Sequence, residues 1–421
     1  MVEAKTELPE AAVAPALRRP ELVAPAGDFA CLRAALAAGA DAVYYGVGNR
    51  LNMRTAARNF RLEDLPEIAA ACRARGARNY LTLNTIVFQR ELADCSAILE
   101  RAVGRVDAVI AWDPAVLRRC RELGLPTHVS TQASVASIES ARYYRGLGAV
   151  RIVPARECTL DEVLDIQREA GVEVEAFVHG AMCINFSGQC FLSQDLFNRS
   201  GNRGECLQPC RREYLIHEVE EGAEYLLGRD YVLSAKDLCT MPFIEVLIAS
   251  GLDAFKIEGR NRNPEYVDTV VRCYRRALDA HRDGRLDATL KEALVAELKT
   301  VYNRTFAGGF YFGRPIAEFA HSRRNQATHR KEYVGYVTHY YRKIGVVEIQ
   351  VMSNPFRPGD ELIIDGPTSG VVRVKPAQVL RDGQPLAETP RAAVTLPCAE
   401  RVRRGDKVYI HVLRQGRRAG E

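Results

Sequence analysis

Residues 21–46 read ELVAPAGDFACLRAALAAGADAVYYG and contain one complete repeat of the predicted fold. Two short apolar runs, Glu21–Ala24 and Ala42–Tyr45, have the length and composition of strands. Between them lies the helix-like stretch Phe29–Ala38, and Asp28 before it is a typical residue for capping a helix N-terminus. The stretch therefore predicts two parallel strands joined by a crossover helix.

Further strand candidates continue the same alternation along the chain. They are Tyr80–Leu83, Ala108–Ala111, Thr127–Thr131, Arg151–Pro154, Val174–Val178 and Ala254–Ile257. Helix signals separate them, such as Thr159 before Leu160–Ala170 and Gly171 after it. Eight strands in this rhythm predict an α/β fold of the (β/α)8 TIM-barrel type, with a doubly wound open sheet as the alternative. No Gly-x-Gly-x-x-Gly follows the first strand, which disfavours dinucleotide binding.

In such a barrel the active site lies at the carboxyl ends of the strands, so polar residues just after each run are candidates. The predicted substrate-binding residues are Asn84, Gln132, Arg156 and Glu157, and the predicted catalytic residues are His179, Lys256, Glu258 and Arg260. His179 is a general acid or base if its pKa lies near neutrality. Lys256 and Arg260 suit phosphate or carboxylate binding. The alternative is structural: a core-capping histidine and an internal Lys–Glu–Arg ion-pair network.

The chain divides into four predicted parts. They are a disordered tail (1–20), the barrel with a cysteine-rich insertion at 183–239 (21–317), a polar linker (318–332) and a β-rich module (333–421). Alternating apolar and polar residues predict strands in that module at Tyr333–His339, Ile344–Met352, Glu361–Ile364, Val371–Val374 and Lys407–His411. Turn signals between them favour a small antiparallel β-barrel.

Charge is distributed unevenly. From His321 to Glu421 there are 18 Lys and Arg against 10 Asp and Glu, whereas the preceding 320 residues carry a net charge of −3. A basic terminal module beside a near-neutral body favours a polyanionic partner such as RNA. An Arg-rich solvated surface without a partner explains the charge equally well.

The twelve cysteines favour the reducing cytoplasm over a disulfide-bonded exterior protein, because the start of the chain lacks the pattern of a secretion signal. No apolar run reaches the roughly twenty residues that a membrane-spanning helix requires. Seven cysteines stand singly and are read as small buried hydrophobes; they are Cys31, Cys72, Cys95, Cys120, Cys158, Cys273 and Cys398.

The other five cysteines lie in one segment rich in Gly, Asn, Ser and Arg. They are Cys183, Cys190, Cys206, Cys210 and Cys239, separated by six, fifteen, three and twenty-eight residues. Thiolates on Gly-rich loops suit iron–sulfur clusters and structural zinc. Structural zinc usually uses tighter pairs, and only Cys206 and Cys210 are spaced that way. Spacing therefore favours a cluster but leaves zinc and unliganded or redox-active thiols open.

The same segment carries a resemblance to a known family. The block Glu175–Ser193 resembles the collagenase-like peptidase U32 family, as do Asn202-Arg203-Gly204, Gln208-Pro209-Cys210-Arg211, Lys236-Asp237-Leu238-Cys239 and Lys256-Ile257-Glu258-Gly259-Arg260. The similarity extends back through Ala24–Gly27 and Gly39–Gly46. It implies a barrel fold and a 4Fe-4S cluster, with Cys183, Cys190, Cys206 and Cys239 as ligands by motif position and Cys210 as a competitor for the place of Cys206.

The resemblance also implies a reaction. Better-understood members are oxygen-independent hydroxylation proteins that act on a tRNA wobble uridine, a ribosomal RNA cytidine or a ubiquinone precursor. The basic module resembles the tail of the tRNA-directed members, anchored here by Gly335, Phe356 and Pro358-Gly359-Asp360. Those members make 5-hydroxyuridine with prephenate as a co-substrate, and some family members act with a partner chain. We therefore expect tRNA and prephenate as ligands, and a protein partner or electron donor as a further possibility.

Two other classes of function stay open. The family's name implies a peptidase, but the sequence has no His-Glu-x-x-His pair and no Gly-x-Ser-x-Gly elbow. A Cys183 nucleophile beside His179 is a peptidase arrangement that the residues allow, because Cys183 lies four residues away and catalytic pairing is spatial. In the third class the protein binds RNA or a partner without catalysis, and the cluster is structural.

Overall fold

The computed structural model describes residues 19–48, 50–55, 57–185, 189–212, 215–217, 224–226, 234–313 and 325–414. All but the last two residues of the predicted tail (1–20) and the first part of the predicted linker (318–332) lie outside these ranges. Within the described residues, no helix is long and apolar enough to span a lipid bilayer.

Eight parallel strands close into a barrel. They are β1 (Glu21–Pro25), β2 (Ala42–Tyr45), β3 (Arg78–Leu83), β4 (Ala108–Ala111), β5 (Thr127–Val129), β6 (Ala149–Ile152), β7 (Glu173–Ala181) and, after three short strands of the insertion, β11 (Ala254–Ile257). Each strand pairs with the next, and β11 pairs in parallel with both β7 and β1. The predicted TIM-type barrel is confirmed, and the open doubly wound sheet is excluded.

Helices cover the outside of the barrel. They are α1 (Phe29–Ala37), α2 (Leu65–Arg73), α3 (Leu92–Ala102), α4 (Pro114–Glu122), α5 (Ile138–Gly146), α6 (Leu160–Ala170), α8 (Ile244–Ala249) and α9 (Pro264–Arg282). The predicted capping residues act as expected: Asp28 accepts a hydrogen bond from the backbone N–H of Cys31, and Thr159 forms a capping box with Glu162. Gly171 ends α6 at a φ of 61°, where residues other than glycine are strained.

The barrel interior contains buried charges, whereas such barrels are usually filled by branched apolar side chains. Arg151 is 2% exposed and bonds both Glu21 and Glu175, which itself is fully buried. The other carboxylate oxygen of Glu175 accepts a hydrogen bond from the ammonium of Lys256. Burial alone would raise the pKa of Glu175, but Lys256 and Arg151 outweigh it and lower that pKa to about 2. Charges of alternating sign therefore follow one another through the barrel interior, from Glu21 through Arg151 and Glu175 to Lys256.

Replacing Glu175 by glutamine tests this network. We expect E175Q to lower the free energy of unfolding at neutral pH by about 3 to 5 kcal/mol, because two buried cations lose their shared counter-charge. Since the folded-state pKa lies below the ordinary value of 4.5, this stabilisation is present above pH 4.5 and is lost as the pH falls toward 2. Urea denaturation of wild type and variant at several pH values measures both effects.

The matched control is E173Q, which removes a carboxylate that bonds Arg151 from a side chain 41% exposed. Solvent screens that pair, so E173Q should change stability by no more than about 1 kcal/mol. Equal losses in the two variants would contradict the account of the barrel interior.

The cysteine-rich insertion leaves the barrel at the end of β7. It comprises α7 (Leu192–Phe197), the hairpin strands β8 (Leu215–His217) and β9 (Glu224–Leu226), and β10 (Asp237–Cys239). β10 runs antiparallel to the end of β7, with Cys239 opposite His179. After α9, α10 (Ala288–Leu298) follows as a separate helix, and β12 (Phe306–Ala307) then pairs with β10.

The C-terminal module is an antiparallel sheet, as predicted. Its strands are β13 (His329–Tyr341), β14 (Val346–Val351), β15 (Leu362–Gly366), β16 (Gly370–Val374), β17 (Leu380–Arg381), β18 (Gln384–Pro385), β19 (Ala393–Pro397) and β20 (Lys407–Leu413). Their order is β16-β15-β20-β13-β14-β19-β17-β18 around an apolar core of its own. Among the described strands, no pairing joins β16 to β18. The five predicted strands are present, and β17, β18 and β19 were not predicted.

This module rests on α1 and α9. Gly370 approaches α1 so closely that a Cβ there would lie 3.1 Å from the Cβ of Arg33. Arg373 donates a hydrogen bond to Thr269 at 2.8 Å and pairs with the buried carboxylate of Asp268 at 3.4 Å, both on α9. Because α1 and α9 both begin at the carboxyl-terminal face of the barrel, the module is anchored near that face.

Candidate functional site

A pocket of about 460 Å³ opens at the carboxyl-terminal ends of the barrel strands. Six of the eight predicted site residues line it: Asn84, Gln132, Arg156, Lys256, Glu258 and Arg260. They come from the ends of β3, β5, β6 and β11, which the closed barrel brings together. Of the other two, Glu157 lines an adjoining pocket, and His179 lines neither.

Among the residues that the structure describes, Glu258 is the one carboxylate that lines the pocket. Its Oε1 atom accepts hydrogen bonds from Arg54, from Nη2 at 3.0 Å and from Nε at 3.3 Å, while Tyr44 donates to Oε2 at 3.2 Å. Burial alone would raise the pKa of Glu258, but Arg54, Arg156 and Arg260 lower it to about 2. Glu258 is therefore an anion at neutral pH and a poor proton donor.

Two guanidinium groups of the pocket have unused donors. Arg260 is 4% exposed; it donates to Thr82 at 2.9 Å and to Asn52 at 3.4 Å, but its Nε has no hydrogen-bond partner among the described residues. The Nε atom of Arg156 is unpartnered in the same way, with its guanidinium 4.2 Å from the ring centroid of Phe177. Burying such donors without an acceptor is costly. These two groups are suited to bind an anion.

Lys256 links the pocket to the charges of the barrel interior. Its ammonium bonds Glu175 and lies 4.3 Å from the ring centroid of Tyr44. Desolvation lowers the pKa of Lys256, and Glu175 opposes that shift. With Arg54, Arg156 and Arg260, Lys256 gives the described part of the pocket lining four cationic side chains against the one carboxylate of Glu258.

His179, the predicted general acid or base, lies outside the lining of this pocket. The register between β7 and β11 shifts next to this residue, and the His179 ring packs outside the barrel among Tyr266, Tyr274 and Phe306. Burial lowers the pKa of His179 to about 4, and nearby Asp237 only partly opposes this. This packing favours the structural alternative, a core-capping histidine, over a role in proton transfer.

Four of the five insertion cysteines lie on loops that contact one another. The backbone N–H of Cys190 donates to Asn202 at 2.9 Å, and a Cβ on Gly201 would lie 3.3 Å from the carbonyl oxygen of Cys190 and 3.7 Å from the Cβ of Cys206. Arg211, next to Cys210, donates to the backbone carbonyl of Met182, next to Cys183. These contacts bring together the chain segments that carry Cys183, Cys190, Cys206 and Cys210.

The thiols of Cys183 and Cys206 affect the pKa values of Cys190 and Cys210. Burial raises the pKa of Cys190 and of Cys210, and the charges of Cys183 and Cys206 raise both further. Backbone N–H groups also point at two sulfur atoms, from Leu192 to Cys190 at 3.3 Å and from Gln208 to Cys206 at 3.4 Å. Within the described part of the chain, no three His, Cys, Asp or Glu side chains already form a metal-binding arrangement. Residues 186–188, between Cys183 and Cys190, lie outside that part.

Cys239 is the fifth cysteine of the insertion. It is 2% exposed in β10, opposite His179, and its thiol is 4.0 Å from the hydroxyl of Tyr274. Burial raises the pKa of Cys239 to about 11. Cys183, by contrast, lies beyond the end of β7, four residues further along the chain from His179.

A second pocket joins the cysteines to the first pocket. It has a volume of about 550 Å³ and is lined by Glu157, Met182, Cys183, Asn185 and Arg156 among others. Because Arg156 lines both pockets, a ligand on its guanidinium would lie between the barrel mouth and the Cys183 loop.

Arg54 is the main site residue that sequence reasoning missed. It lies in the stretch between β2 and the 3-10 turn that precedes α2, far in sequence from its partner Glu258. One signal was available: a strand-to-helix connection of this length is uncommon in a compact barrel unless the loop is functional. The same loop bonds the insertion, since Thr55 donates to the carbonyl of Gly204 from its backbone N–H at 3.1 Å and from its hydroxyl at 2.9 Å.

The fold and site define a TIM-type barrel with a cationic pocket beside a cysteine-rich segment. Residues 27–320 match the model of peptidase family U32. The chain therefore belongs to this family.

The relatives of this chain are named either as peptidases or as RNA-modifying proteins. The chain is 38% identical to a collagenase of Porphyromonas gingivalis, over 92% of this chain and 97% of that protein. It is 33% identical to tRNA hydroxylation protein P1 of Bacillus subtilis, over 83% of this chain and 84% of that protein. It is also 36% identical to a 23S rRNA 5-hydroxycytidine synthase of Escherichia coli, over 64% of this chain and 41% of that protein.

Proposed function

We propose that this protein is an oxygen-independent RNA hydroxylase that converts a wobble uridine of tRNA to 5-hydroxyuridine. The main support for the proposal is the barrel-mouth pocket, where the buried Nε atoms of Arg156 and Arg260 have no partner among the described residues, and where Arg156 also lines the pocket of Cys183. Relatives named as tRNA and rRNA hydroxylation proteins support RNA as the substrate class.

In this proposal the pocket binds two ligands. The guanidinium groups of Arg156 and Arg260 bind the carboxylates of a small co-substrate such as prephenate, which supplies the oxygen atom. Asn84 and Gln132 line the same pocket and offer amide groups to the edge of a uracil. The base leaves its RNA stack to reach them, as in other enzymes that modify bases.

Arg54 and Glu258 hold the pocket in shape. Their ion pair joins the loop after β2 to the end of β11. Because Glu258 stays ionised well below neutral pH, it keeps Arg54 in place and does not titrate in the working range. Lys256, held by Glu175, adds positive charge deeper in the pocket.

The cysteine segment fits a 4Fe-4S cluster by its donor set. Four thiols lie on loops that contact one another, and backbone N–H groups already point at the sulfur atoms of Cys190 and Cys206. We propose Cys183, Cys190 and Cys206 as ligands. We propose Cys210 as the fourth, in place of the motif-based assignment to Cys239, because Arg211 ties its loop to Met182. When bound, a cluster supplies one-electron redox chemistry beside the pocket.

The peptidase alternative has less support from the site. Its only candidate pair was Cys183 with His179, and the His179 ring is buried among Tyr266, Tyr274 and Phe306, with a pKa near 4. Such a histidine does not activate a thiol across the barrel wall. Collagenase remains the name of a close relative, so proteolysis is tested directly below.

The test is nucleoside analysis of RNA from a strain that lacks the gene. We expect 5-hydroxyuridine and its derivatives to disappear from tRNA and to return with a wild-type plasmid but not with the double variant R156Q/R260Q. Loss of 5-hydroxycytidine from ribosomal RNA, with tRNA unchanged, would identify rRNA as the substrate instead of tRNA. Unchanged RNA, together with gelatin cleavage by the purified protein, would refute the proposal in favour of the peptidase. Unchanged RNA with tight RNA binding would indicate a binding protein.

Since tRNA is the proposed substrate, the proposed location is the cytoplasm.

A further inference from the structure

The loop after β3 carries an exposed aromatic side chain between arginines. Asn84 lines the pocket at the start of this loop, and Phe88 follows four residues later with 42% of its surface exposed. The guanidinium carbons of Arg90 and Arg203 each lie 4.8 Å from the centroid of the Phe88 ring. We call Ile86, Phe88, Arg90 and Arg203 the Phe88 platform.

Glu91 fixes the geometry of this platform. Its carboxylate accepts a hydrogen bond from the backbone N–H of Phe88 at 2.9 Å and pairs with the guanidinium of Arg203. Arg203 also donates to the carbonyl of Ile86, which ties the insertion to the loop after β3. The platform is therefore ordered before any ligand binds, and little conformational freedom is lost on binding.

Arg90 leaves the platform with a positive charge. It is exposed and, among the residues that the structure describes, has no carboxylate within ion-pair distance. The charge of Arg203 is balanced by Glu91, whereas that of Arg90 is available to a ligand. An exposed aromatic ring beside a guanidinium that has no ion-pair partner among the described residues suits an anionic ligand with planar groups.

We infer that the Phe88 platform stacks a base of single-stranded RNA adjacent to the nucleotide in the barrel pocket, with Arg90 on its phosphate. This inference rests on the proposed function and adds a surface to it. A target base that enters the pocket leaves its neighbours unstacked, and aromatic rings and guanidinium planes are the surfaces on which proteins restack such bases. Phe88 and Arg90 lie on the loop whose first residue, Asn84, lines the pocket, so the platform is close to the pocket along the chain.

RNA binding by variants of the full-length protein tests the inference. The probe is a fluorescein-labelled RNA hairpin with uridines in its unpaired loop, and the readout is anisotropy. We expect F88A to weaken binding about 5- to 150-fold, the range for loss of one stacked base, and F88W to restore it. We expect R90Q to lower the slope of log affinity against log salt by about one contact. The control Y143A removes an exposed ring from α5, away from the pocket, and should bind like wild type.

The outcomes separate this inference from the proposed function. Binding by F88A within about twofold of wild type would overturn the platform, even if the protein hydroxylates tRNA. Equal affinity of wild type for the hairpin and for fully paired RNA would also overturn it, since stacking requires unpaired bases. Binding that depends on Phe88, in a strain whose RNA is unchanged by deletion, would retain the platform and reject the hydroxylase.

Discussion

Anaerobically purified C183A is expected to lose most of the iron and sulfide that wild type carries, which should be about four of each per chain if a 4Fe-4S cluster is bound. Cys183 lines the second pocket and lies on the loop that joins the cysteine group to the barrel. Without one of its four thiolate ligands, the cluster would have an iron with an open coordination position. The measurement is iron, acid-labile sulfide and zinc per chain, with the visible absorption spectrum.

Two further variants identify the fourth ligand. We expect C210A to lose iron like C183A, and C239A to retain it, because Arg211 ties the Cys210 loop to Met182, whereas the Cys239 thiol is buried in β10 beside the Tyr274 hydroxyl. The reverse result would restore the assignment by motif position. Retention of iron in both would leave the fourth position to a ligand other than these cysteines. Stoichiometric zinc in wild type, or no metal, would contradict the cluster itself.

Substitution of Arg156 should have the other large effect. We expect R156Q to lower the rate of 5-hydroxyuridine formation about 100-fold, the size of effect seen when one charged or polar donor is removed from a reacting site. Arg156 lines both pockets, and its Nε has no partner among the described residues, so its removal should cost little in folding. The measurement is product per tRNA against prephenate concentration, with iron content determined in parallel.

Two control variants, R156K and R168Q, are compared with R156Q. R156K keeps the charge but loses the planar fork, so it should raise KM for the co-substrate more than it lowers kcat. R168Q removes an arginine that is 68% exposed on α6, and its activity should equal that of wild type. A normal rate in R156Q with full iron content would contradict the proposed anion site.

Strand periodicity was sufficient to predict the eight strands of the barrel and their alternation with helices. The runs Ala42–Tyr45, Ala108–Ala111 and Ala254–Ile257 have the same bounds in the structure as in the prediction. The positions after the strands then identified six pocket residues, because a closed parallel barrel must bring those ends together. Closure itself rests on the pairing of β7 with β11, which periodicity does not encode.

Sequence reasoning was incomplete where contacts between residues distant in the chain override the local pattern. His179 continues the alternation of β7, but the register shift beside Ile257 turns it away from the pocket. Arg54 stands in a loop without periodicity and is defined as a site residue only by Glu258. The pairing of Cys210 with the Cys183 segment likewise depends on the contact from Arg211 to Met182, which no spacing rule contains.

The most direct test of the central claim is reconstitution of the reaction. Anaerobically purified wild-type protein is incubated with unmodified tRNA, prephenate and a reductant without oxygen, and the tRNA is digested for nucleoside mass spectrometry. The account predicts 5-hydroxyuridine at the wobble position, dependent on prephenate and absent with C183A or R156Q. Protein that holds a full cluster and binds tRNA but yields no hydroxylated nucleoside, while it cleaves gelatin, would contradict the account.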